Sequence, residues 1–257
     1  MPQPTQPVPG AVQCADVSLQ LLKANDWAAR TVRDRMAAHG VMLINLTSSA
    51  GSGKTLLLER TVVALKDFCR ILVLEGDLET ERDADRIRRH GVPAIQITTG
   101  TTCHLEAPMI LQALERVDLA DYDLVIVENV GNLVCPAAYD LGESLRVTLL
   151  AVTEGDDKPR KYPRMFLSTD LVVLSKADLL PHVPFSVDAA IADCRAVRAD
   201  LEVHVLSAHT GDGMTRWLDW LRDRMAALWT GEPLAPGASL PDGEGLPTAT
   251  AHPATAG

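Results

Sequence analysis

Apolar residues along this chain form seven short, nearly continuous runs, and the segments between them carry apolar residues every three or four positions. Runs rich in Val, Ile and Leu are typical of parallel strands that are buried on both faces of a sheet. The spacing between the runs predicts helices that cover those faces. The pattern therefore predicts an α/β fold, with a doubly wound, mostly parallel sheet and helices on both faces. The predicted strands span residues 41–47, 70–77, 94–98, 123–129, 146–153, 170–175 and 202–207.

Periodic segments also lie before the first run and after the last one. Residues 16–39 and 214–229 both have the apolar spacing of an amphipathic helix. The flanking residues 1–15 and 231–257 are rich in Pro and in small or polar residues, so we expect them to be disordered. A single domain over residues 16–230 follows from this organisation.

Composition narrows the functional class. The chain has a formal net charge of −10, with 34 acidic and 24 basic residues, which argues against nonspecific binding of nucleic acid. No apolar run approaches the roughly 18–20 residues of a membrane span, and the first ten residues lack the basic and apolar parts of a signal peptide. We therefore expect a cytoplasmic protein without a membrane partner. The five cysteines are scattered and odd in number, so a functional cysteine would be a metal ligand or a reactive thiol.

The first predicted strand leads into a glycine-rich segment, SSAGSGKT, which predicts the phosphate-binding loop (P-loop) of a P-loop NTPase. Small residues let backbone N–H groups turn toward a phosphate, and the dipole of the following helix adds to the attraction. Lys54 would bridge the β- and γ-phosphates, and Thr55 would offer its hydroxyl to Mg²⁺. Ser48 stands where the motif usually has its first glycine. The alternative is a glycine-rich turn without a ligand. The predicted phosphate-binding residues are Ala50, Gly51, Ser52, Gly53, Lys54 and Thr55.

Two acidic residues stand at the ends of other predicted strands. Asp77 ends the second strand and Glu128 ends the fourth. In a parallel sheet, ligands gather outside the carboxyl ends of the strands, so both carboxylates should face the phosphates. Either acid alone could be structural, but together with the P-loop they are candidate partners of Mg²⁺. We therefore predict a catalytic set of Lys54, Thr55, Asp77 and Glu128.

The segment VVLSKADLLP predicts which base is bound, because a strand that ends in [N/S]-K-x-D resembles the guanine-reading element of GTP-binding proteins. Asp178 would accept hydrogen bonds from N1–H and the exocyclic amine of guanine, and adenine offers no such donor pair. Lys176 would lie along the purine face. Ser175 replaces the more common Asn, which puts the bracing of this loop in question. Further along, VLSAHTGDGM resembles the element that completes the guanine pocket through backbone N–H groups near Ser207 and Ala208.

Two loops carry candidate metal ligands. Cys103 and His104 are adjacent, and Cys135 follows the sequence ENVG, in which Gly131 has the spacing of the glycine that contacts the γ-phosphate in GTPases. A Cys–His pair alone is more often a small buried residue beside a polar one. Cys135 supplies a third ligand if both loops meet at one end of the sheet. Thiolate and imidazole ligands suit Zn²⁺ and Ni²⁺.

Taken together, these motifs resemble the HypB family, the GTPases that help deliver nickel to hydrogenase. The resemblance covers roughly residues 20–230. Its most specific parts are the CHL and ENVGNLVCP blocks, because the P-loop and the guanine element are shared by many GTPases. The matching segments are SSAGSGKT, EGDLETERDADRIR, TTGTTCHLEAPMI, ENVGNLVCPAAYDLGE, VTEGDDKPRKYPRMF and SKADLLP.

The resemblance implies a GTP-hydrolysing metallochaperone that delivers nickel to the [NiFe] hydrogenase large subunit. It implies GTP, Mg²⁺ and Ni²⁺ as cofactors, with Zn²⁺ as a competitor, and a HypA-type nickel chaperone as a partner. It also implies that Cys103, His104 and Cys135 bind metal at a dimer interface, and that GTP and metal favour the homodimer. Three departures from the family are the replacement of a usual Pro by Ala50, the replacement of the usual Asn by Ser175, and a segment 1–20 with one cysteine and no histidine. In that segment we expect no separate metal store.

Three questions stay open at this stage. The client could instead be urease or a cobalamin-dependent enzyme, since their chaperone GTPases share the P-loop and the sheet. The protein could also be a nickel or zinc store in which nucleotide is structural. Asp156, Asp157 and Lys158 follow the end of a strand, and we consider them candidate contacts with nucleotide or with a partner subunit.

Overall fold

Seven parallel strands form the centre of the computed structural model, which describes residues 14–77, 82–100 and 102–231. Their order across the sheet is β3-β2-β4-β1-β5-β6-β7. The predicted doubly wound α/β fold is confirmed, and every strand pair in the described residues is parallel. Each predicted strand end lies within two residues of the observed one. The strands are β1 (Met42–Ser48), β2 (Ile71–Asp77), β3 (Ala94–Thr98), β4 (Leu124–Glu128), β5 (Leu145–Ala151), β6 (Leu171–Ser175) and β7 (Glu202–Val205).

Helices cover both faces of this sheet. One face packs against α2, α3 and α8, and the other packs against α1, α4, α6 and α7. The described α-helices are α1 (Cys14–His39), α2 (Lys54–Leu65), α3 (Arg82–Arg88), α4 (Ala107–Leu114), α5 (Lys158–Lys161), α6 (Pro163–Leu167), α7 (Val187–Val197) and α8 (Met214–Thr230). Short 3-10 turns span Leu119–Asp121, Cys135–Ala138 and Ala177–His182. The segments predicted to be disordered, 1–15 and 231–257, fall almost entirely outside the described residues.

The central strand β1 shows why apolar and polar residues alternate so little along the predicted strands. Every residue of β1 is buried, because both of its faces lie under helices. Ile44 and Leu46 belong to the core beneath α2 and α8, whereas Leu43 belongs to the core beneath α1 and α4. A strand buried on both faces needs apolar side chains at odd and even positions, which produces the continuous run seen in the sequence.

The strand order fixes where a ligand can bind. β1 lies between β4 and β5, so the chain leaves β1 toward one edge of the sheet and later returns to its other side. Such a reversal opens a crevice at the carboxyl ends of the strands. The loops that follow β1, β2, β3 and β4 all emerge at this end, which brings the P-loop and both candidate metal loops together.

The first helix, α1, anchors two of these loops. The Asn25 side chain is buried, accepts a hydrogen bond from the Ala107 amide at 2.8 Å and donates one to the Asp140 carbonyl at 2.8 Å. These two backbone groups flank the Cys103–His104 loop and the Cys135 loop. Although α1 is the longest helix, no helix in the described ranges is long and apolar enough to cross a lipid bilayer.

We expect Asn25→Ala to destabilise the protein by about 1–3 kcal/mol, because it leaves the buried Ala107 amide without a partner. In a domain of this size that corresponds to a fall in Tm of about 2–4 °C per kcal/mol, which calorimetry would measure. Arg33→Ala is the matched control. Its ion pair with Asp140 joins the same elements at 2.8 Å, but both side chains are exposed, so its loss should cost less than about 1 kcal/mol. Equal losses of stability for the two variants would contradict an anchoring role for Asn25.

Candidate nucleotide and metal site

The P-loop has the backbone shape that a phosphate requires. Gly51 and Gly53 have φ angles of +72° and +95°, which favour glycine, and Gly53 is the N-cap of α2. The loop therefore curls over the N-terminus of a twelve-residue helix, where unpaired N–H groups and the helix dipole attract an anion.

Ser48, which replaces the first glycine of the motif, holds the P-loop lysine. Lys54 Nζ donates to Ser48 Oγ at 2.8 Å, and Ser52 Oγ donates to the same oxygen at 2.5 Å. Lys54 is 6% exposed, and burial lowers its pKa although the nearby Glu128 acts in the opposite direction. The substitution therefore adds a side-chain contact that orients the lysine inside the loop.

The acidic end of the site contains one carboxyl group that the sequence analysis missed. Thr55 Oγ1 donates to Glu128 Oε1 at 2.8 Å, as expected for two groups that share a cation. The register of β2 and β4 places Glu75 directly beside Glu128. Glu75 is 2% exposed, and burial together with the neighbouring Glu128 raises its pKa far above the usual range. Asp77 ends β2 two residues later and is half-buried.

The alternation of side chains along a strand is the signal that could have identified Glu75. Residues 75 and 77 are two apart in one strand, so they point to the same face of the sheet, the face that carries Glu128. In the sequence analysis Glu75 was part of an apolar run, and Asp77 alone was chosen because it ends that run.

These carboxyl groups fit a hard divalent cation. Glu75 Oε1 and Glu128 Oε2 are buried and have no hydrogen-bond partner. Oxygen ligands of this kind, together with the Thr55 hydroxyl, are the ones that Mg²⁺ prefers. Burial also raises the pKa of Glu128, which is the behaviour of carboxylates that lack a compensating cation.

The predicted guanine element lines a cavity of about 210 Å³ beside the P-loop. Ser175 Oγ donates to the Ser52 carbonyl at 2.8 Å, and Lys176 Nζ donates to the Gly51 carbonyl at 2.6 Å. Lys176 has a φ of +60°, which turns its side chain back over the loop. Serine is therefore long enough to brace the guanine element on the P-loop, and this answers the question that its replacement of Asn had raised.

The second part of the guanine element packs against the first. Ser207 Oγ donates to Asp178 Oδ1 at 2.5 Å, and Ala208 lines the cavity. The Ser207 amide, one of the predicted pocket N–H groups, donates to the Asp212 carbonyl at 2.9 Å. In this structure Ser207 therefore acts on Asp178 through its hydroxyl group.

Gly131 packs directly on the P-loop. A Cβ atom at this position would lie 2.6 Å from Ala50 Cα and 2.8 Å from Ala50 N, which is closer than real contacts allow. The segment after β4 and the phosphate loop therefore touch through their backbones, and a displacement of one must move the other.

The three candidate metal ligands meet in a single chain. The ligand atoms of Cys103, His104 and Cys135 all lie within 4.8 Å of one another. The two sulfur atoms are 3.1 Å apart, and Cys103 Sγ lies 4.0 Å from His104 Nδ1. Hydrogen bonding with Cys103 raises the pKa of the Cys135 thiol. Burial lowers the pKa of His104, which keeps the imidazole neutral, the form that binds a metal.

Polar contacts position these ligands. Asn132 Oδ1 accepts from the Val134 amide at 2.8 Å and the Cys135 amide at 3.4 Å, and Asn132 Nδ2 donates to the Cys103 carbonyl at 3.4 Å. The His104 ring packs against Tyr139 with ring centroids 4.1 Å apart and an angle of 38° between the ring planes. The two loops are therefore joined beside the sulfur atoms, although 32 residues separate the cysteines in the sequence.

Comparison with known proteins identifies the family of this chain. Residues 42–205 match the family model described as CobW/HypB/UreG, nucleotide-binding domain. The hydrogenase maturation factor HypB of Escherichia coli K12 is 48% identical over 212 residues, which cover 82% of this chain and 73% of that protein. The chain belongs to the HypB family.

Two further relatives extend the comparison. The crystal structure of Helicobacter pylori HypB in complex with nickel superposes on this HypB family member with a TM-score of 0.76 and 39% identity, and covers 82% of this chain and 99% of that one. A Helicobacter hepaticus relative named as a hydrogenase/urease maturation factor HypB is 44% identical over 211 residues, 80% of this chain and 86% of that protein.

The segment Asp156–Lys158 has mainly local partners in this HypB family member. Asp156 Oδ2 accepts from the Ser186 amide just before α7 at 3.0 Å, and Asp157 pairs with Lys161 at 2.6 Å. Lys158 lies 3.8 Å from Glu154 and lines a cleft with Ala50, Gly131 and Val134. The first two acids therefore contact other residues of the chain, and Lys158 is the member of the segment that lies beside the P-loop and the metal loop.

We expect Glu75→Gln to stabilise the nucleotide-free protein at pH 8 by at least about 1 kcal/mol, or about 2–4 °C in Tm, when no divalent cation is added. The raised pKa of Glu75 means that the folded state favours the protonated acid, so the wild type loses stability as the pH rises from about 4.5. Glutamine does not titrate, so the difference in the free energy of unfolding between Glu75→Gln and the wild type should disappear toward pH 5. Denaturation at several pH values measures this difference. Glu115→Gln, at an exposed residue, is the control. A variant less stable than wild type at pH 8 would contradict the buried-pair interpretation.

Proposed function

We propose that this protein is a GTP-hydrolysing metallochaperone that delivers nickel to the [NiFe] hydrogenase large subunit. One observation carries the proposal: Cys135 of the Cys103, His104 and Cys135 cluster lies on the loop that follows Gly131, and Gly131 packs against the P-loop. A nucleotide site and a transition-metal site thus share one backbone segment. Its HypB relatives, named as hydrogenase maturation factors, support the choice of client.

The proposed reaction is hydrolysis of GTP to GDP and phosphate. Water attacks the γ-phosphate in line, and the P-loop amides and Lys54 stabilise the charge that develops on the phosphoryl oxygens. Mg²⁺, held by Thr55, Asp77 and Glu128, would supply further charge stabilisation when bound. Asp178 provides base selectivity from the cavity described above. None of the predicted catalytic residues is a clear base for the attacking water, so we propose slow turnover that a partner or activator accelerates.

The proposed metal site suits delivery rather than structure. Two thiolates and one imidazole are good ligands for Ni²⁺, and Zn²⁺ would compete on affinity alone. Three ligands leave a coordination position open, unlike a closed four-ligand structural site. Cys103 is exposed, so a partner can reach the ion. We propose that the open position faces a second copy of the chain, and that GTP and metal favour this homodimer.

Nucleotide state and metal affinity are coupled in this proposal. A γ-phosphate at the P-loop would displace Gly131, and the four residues to Cys135 would carry that displacement to a ligand. We further propose a HypA-type chaperone as the source of the nickel and the cytoplasm as the site of action.

Two rival functions remain candidates. A urease client is supported by the Helicobacter hepaticus relative, whose name includes both enzymes, and pull-down of the client enzyme separates the two. A nickel or zinc store with a structural nucleotide would bind several metal ions per chain, which the single cluster in the described residues does not favour.

We expect Lys54→Ala to lower kcat for GTP hydrolysis by at least about 100-fold, because it removes a charge that stabilises the transition state. A phosphate-release assay measures this rate. Lys66→Ala, an exposed lysine at the C-cap of the same helix, is the control and should keep full activity. Unchanged hydrolysis in the Lys54 variant would rule out catalysis at this P-loop.

We expect Cys135→Ala and Cys103→Ala each to weaken nickel binding by at least about tenfold, because each removes one of three ligands. Competition with a chromophoric chelator measures the affinity, and Cys69→Ala, which removes a buried thiol of the core, is the matched control. Several bound equivalents per chain would favour the storage function.

Light scattering after gel filtration completes this test. The wild type should become dimeric with Ni²⁺ and a non-hydrolysable GTP analogue, and Cys135→Ala should lose the part of the shift that requires metal. A monomer under all conditions would refute the shared site.

A further inference from the structure

We infer that Asn129 is the positioning residue through which the nucleotide site acts on the metal ligands. This inference rests on the coupling proposed above and names the side chain that carries it. Asn129 directly follows Glu128, is 2% exposed and was not singled out in the sequence analysis. Its side chain bonds directly to one loop of the metal site. It is connected to the other loop by a buried relay, a chain of hydrogen-bonded side chains.

The first branch leads to Cys103 and His104. Asn129 Oδ1 accepts a hydrogen bond from the Leu105 amide at 3.1 Å, and the same oxygen accepts from the Val130 amide at 2.9 Å. Leu105 follows His104 and is fully buried against β2, where a Cβ atom on Gly76 would lie 2.6 Å from its side chain. The backbone at His104 therefore cannot shift freely, and the Asn129 amide group fixes one end of it.

The second branch leads to Cys135. Asn129 Nδ2 donates to Asn45 Oδ1 at 3.2 Å, and Asn45 Nδ2 donates to Glu143 Oε1 at 3.1 Å. Glu143 is paired with Arg146, and both side chains are 7% exposed. Arg146 then donates to the carbonyls of Tyr139, at 2.8 Å, and of Pro136, at 3.4 Å, the residue after Cys135.

These contacts connect the nucleotide site with the loops that carry the metal ligands. Glu128 bonds the P-loop Thr55 at 2.8 Å and is covalently bonded to Asn129, whose own amide donates to Leu46 of β1 at 2.9 Å. A shift of the segment from Glu128 to Gly131 must therefore shift the Asn129 side chain. The Leu105 amide and the Asn45 relay must follow or lose buried hydrogen bonds, so the displacement reaches all three metal ligands.

The test compares nickel affinity in the GDP state and in the state with a non-hydrolysable GTP analogue. In wild type we expect a ratio of about 5-fold or more between the two affinities, the usual range of an allosteric coupling. In Asn129→Ala the ratio should fall to within about twofold of one, while GDP affinity stays within about threefold of wild type. Reciprocity supplies a second readout: in each protein, nickel should change the ratio of the affinities for the GTP analogue and for GDP by the same factor.

Two further variants keep the test decisive. In Asn129→Ser the side chain keeps a small polar group but is too short to reach Leu105 or Asn45, so the ratio of nickel affinities should also fall close to one. This variant replaces Asn129→Ala in the test if the alanine variant folds poorly. Trp220→Phe removes a hydrogen bond to Glu202 of 3.1 Å far from both sites and should leave the ratio unchanged. A wild-type ratio of one would overturn the proposed coupling itself. A wild-type ratio above 5-fold that survives in the folded Asn129 variants would overturn the role of Asn129 alone.

Discussion

The parallel pairing of β4 between β1 and β2 determines how the whole site is built. It places the end of β4 beside the P-loop on one side and beside Glu75 on the other. Because parallel strands end at the same edge, the loops after β1 and β4 must pass close together, and the structure brings them to backbone contact at Ala50 and Gly131. Gly131 has no side chain and Ala50 has only a methyl group, so no flexible side chain at this contact can absorb a movement. The conformation of the P-loop and that of the segment toward Cys135 therefore depend on the same backbone contact.

Two buried polar clusters lie along this edge, and they differ in how well they are satisfied. Asn45, Asn129, Glu143 and Arg146 form a nearly complete chain of hydrogen bonds, which offsets the cost of burying them and makes the chain rigid. The carboxyl pair beside the P-loop is incomplete, since two of its oxygens have no partner. A complete network keeps its side chains in fixed positions, whereas an incomplete one is stabilised when a cation binds. The first cluster thus suits positioning, and the second suits ligand binding.

The sequence predicted those features that local patterns determine. Continuous apolar runs identified all seven strands within two residues, and short motifs located the P-loop, the guanine element and the candidate metal ligands. The features it missed depend on strand register. Glu75 was hidden in a strand until β2 was paired with β4. Asn45 did offer a signal, because an amide in the middle of a fully buried strand is costly unless it is bonded, but its partner follows a strand 84 residues away. Pairings of this kind follow from topology, not from spacing along the chain.

In the proposed coupling a small movement is sufficient, as the distances at the metal cluster indicate. Two sulfur atoms that bind one tetrahedral ion at about 2.3 Å each lie roughly 3.8 Å apart. Here they lie 3.1 Å apart, so the two sulfur atoms must separate by somewhat less than 1 Å before both can bind the same ion. Metal sites tolerate errors in ligand distance of only about 0.2 Å. In the proposed coupling, a displacement smaller than a single bond length, passed from Gly131 to Cys135, would carry the cluster from a poor geometry to a good one. The buried hydrogen bonds from Asn129 to Arg146 would help to transmit it.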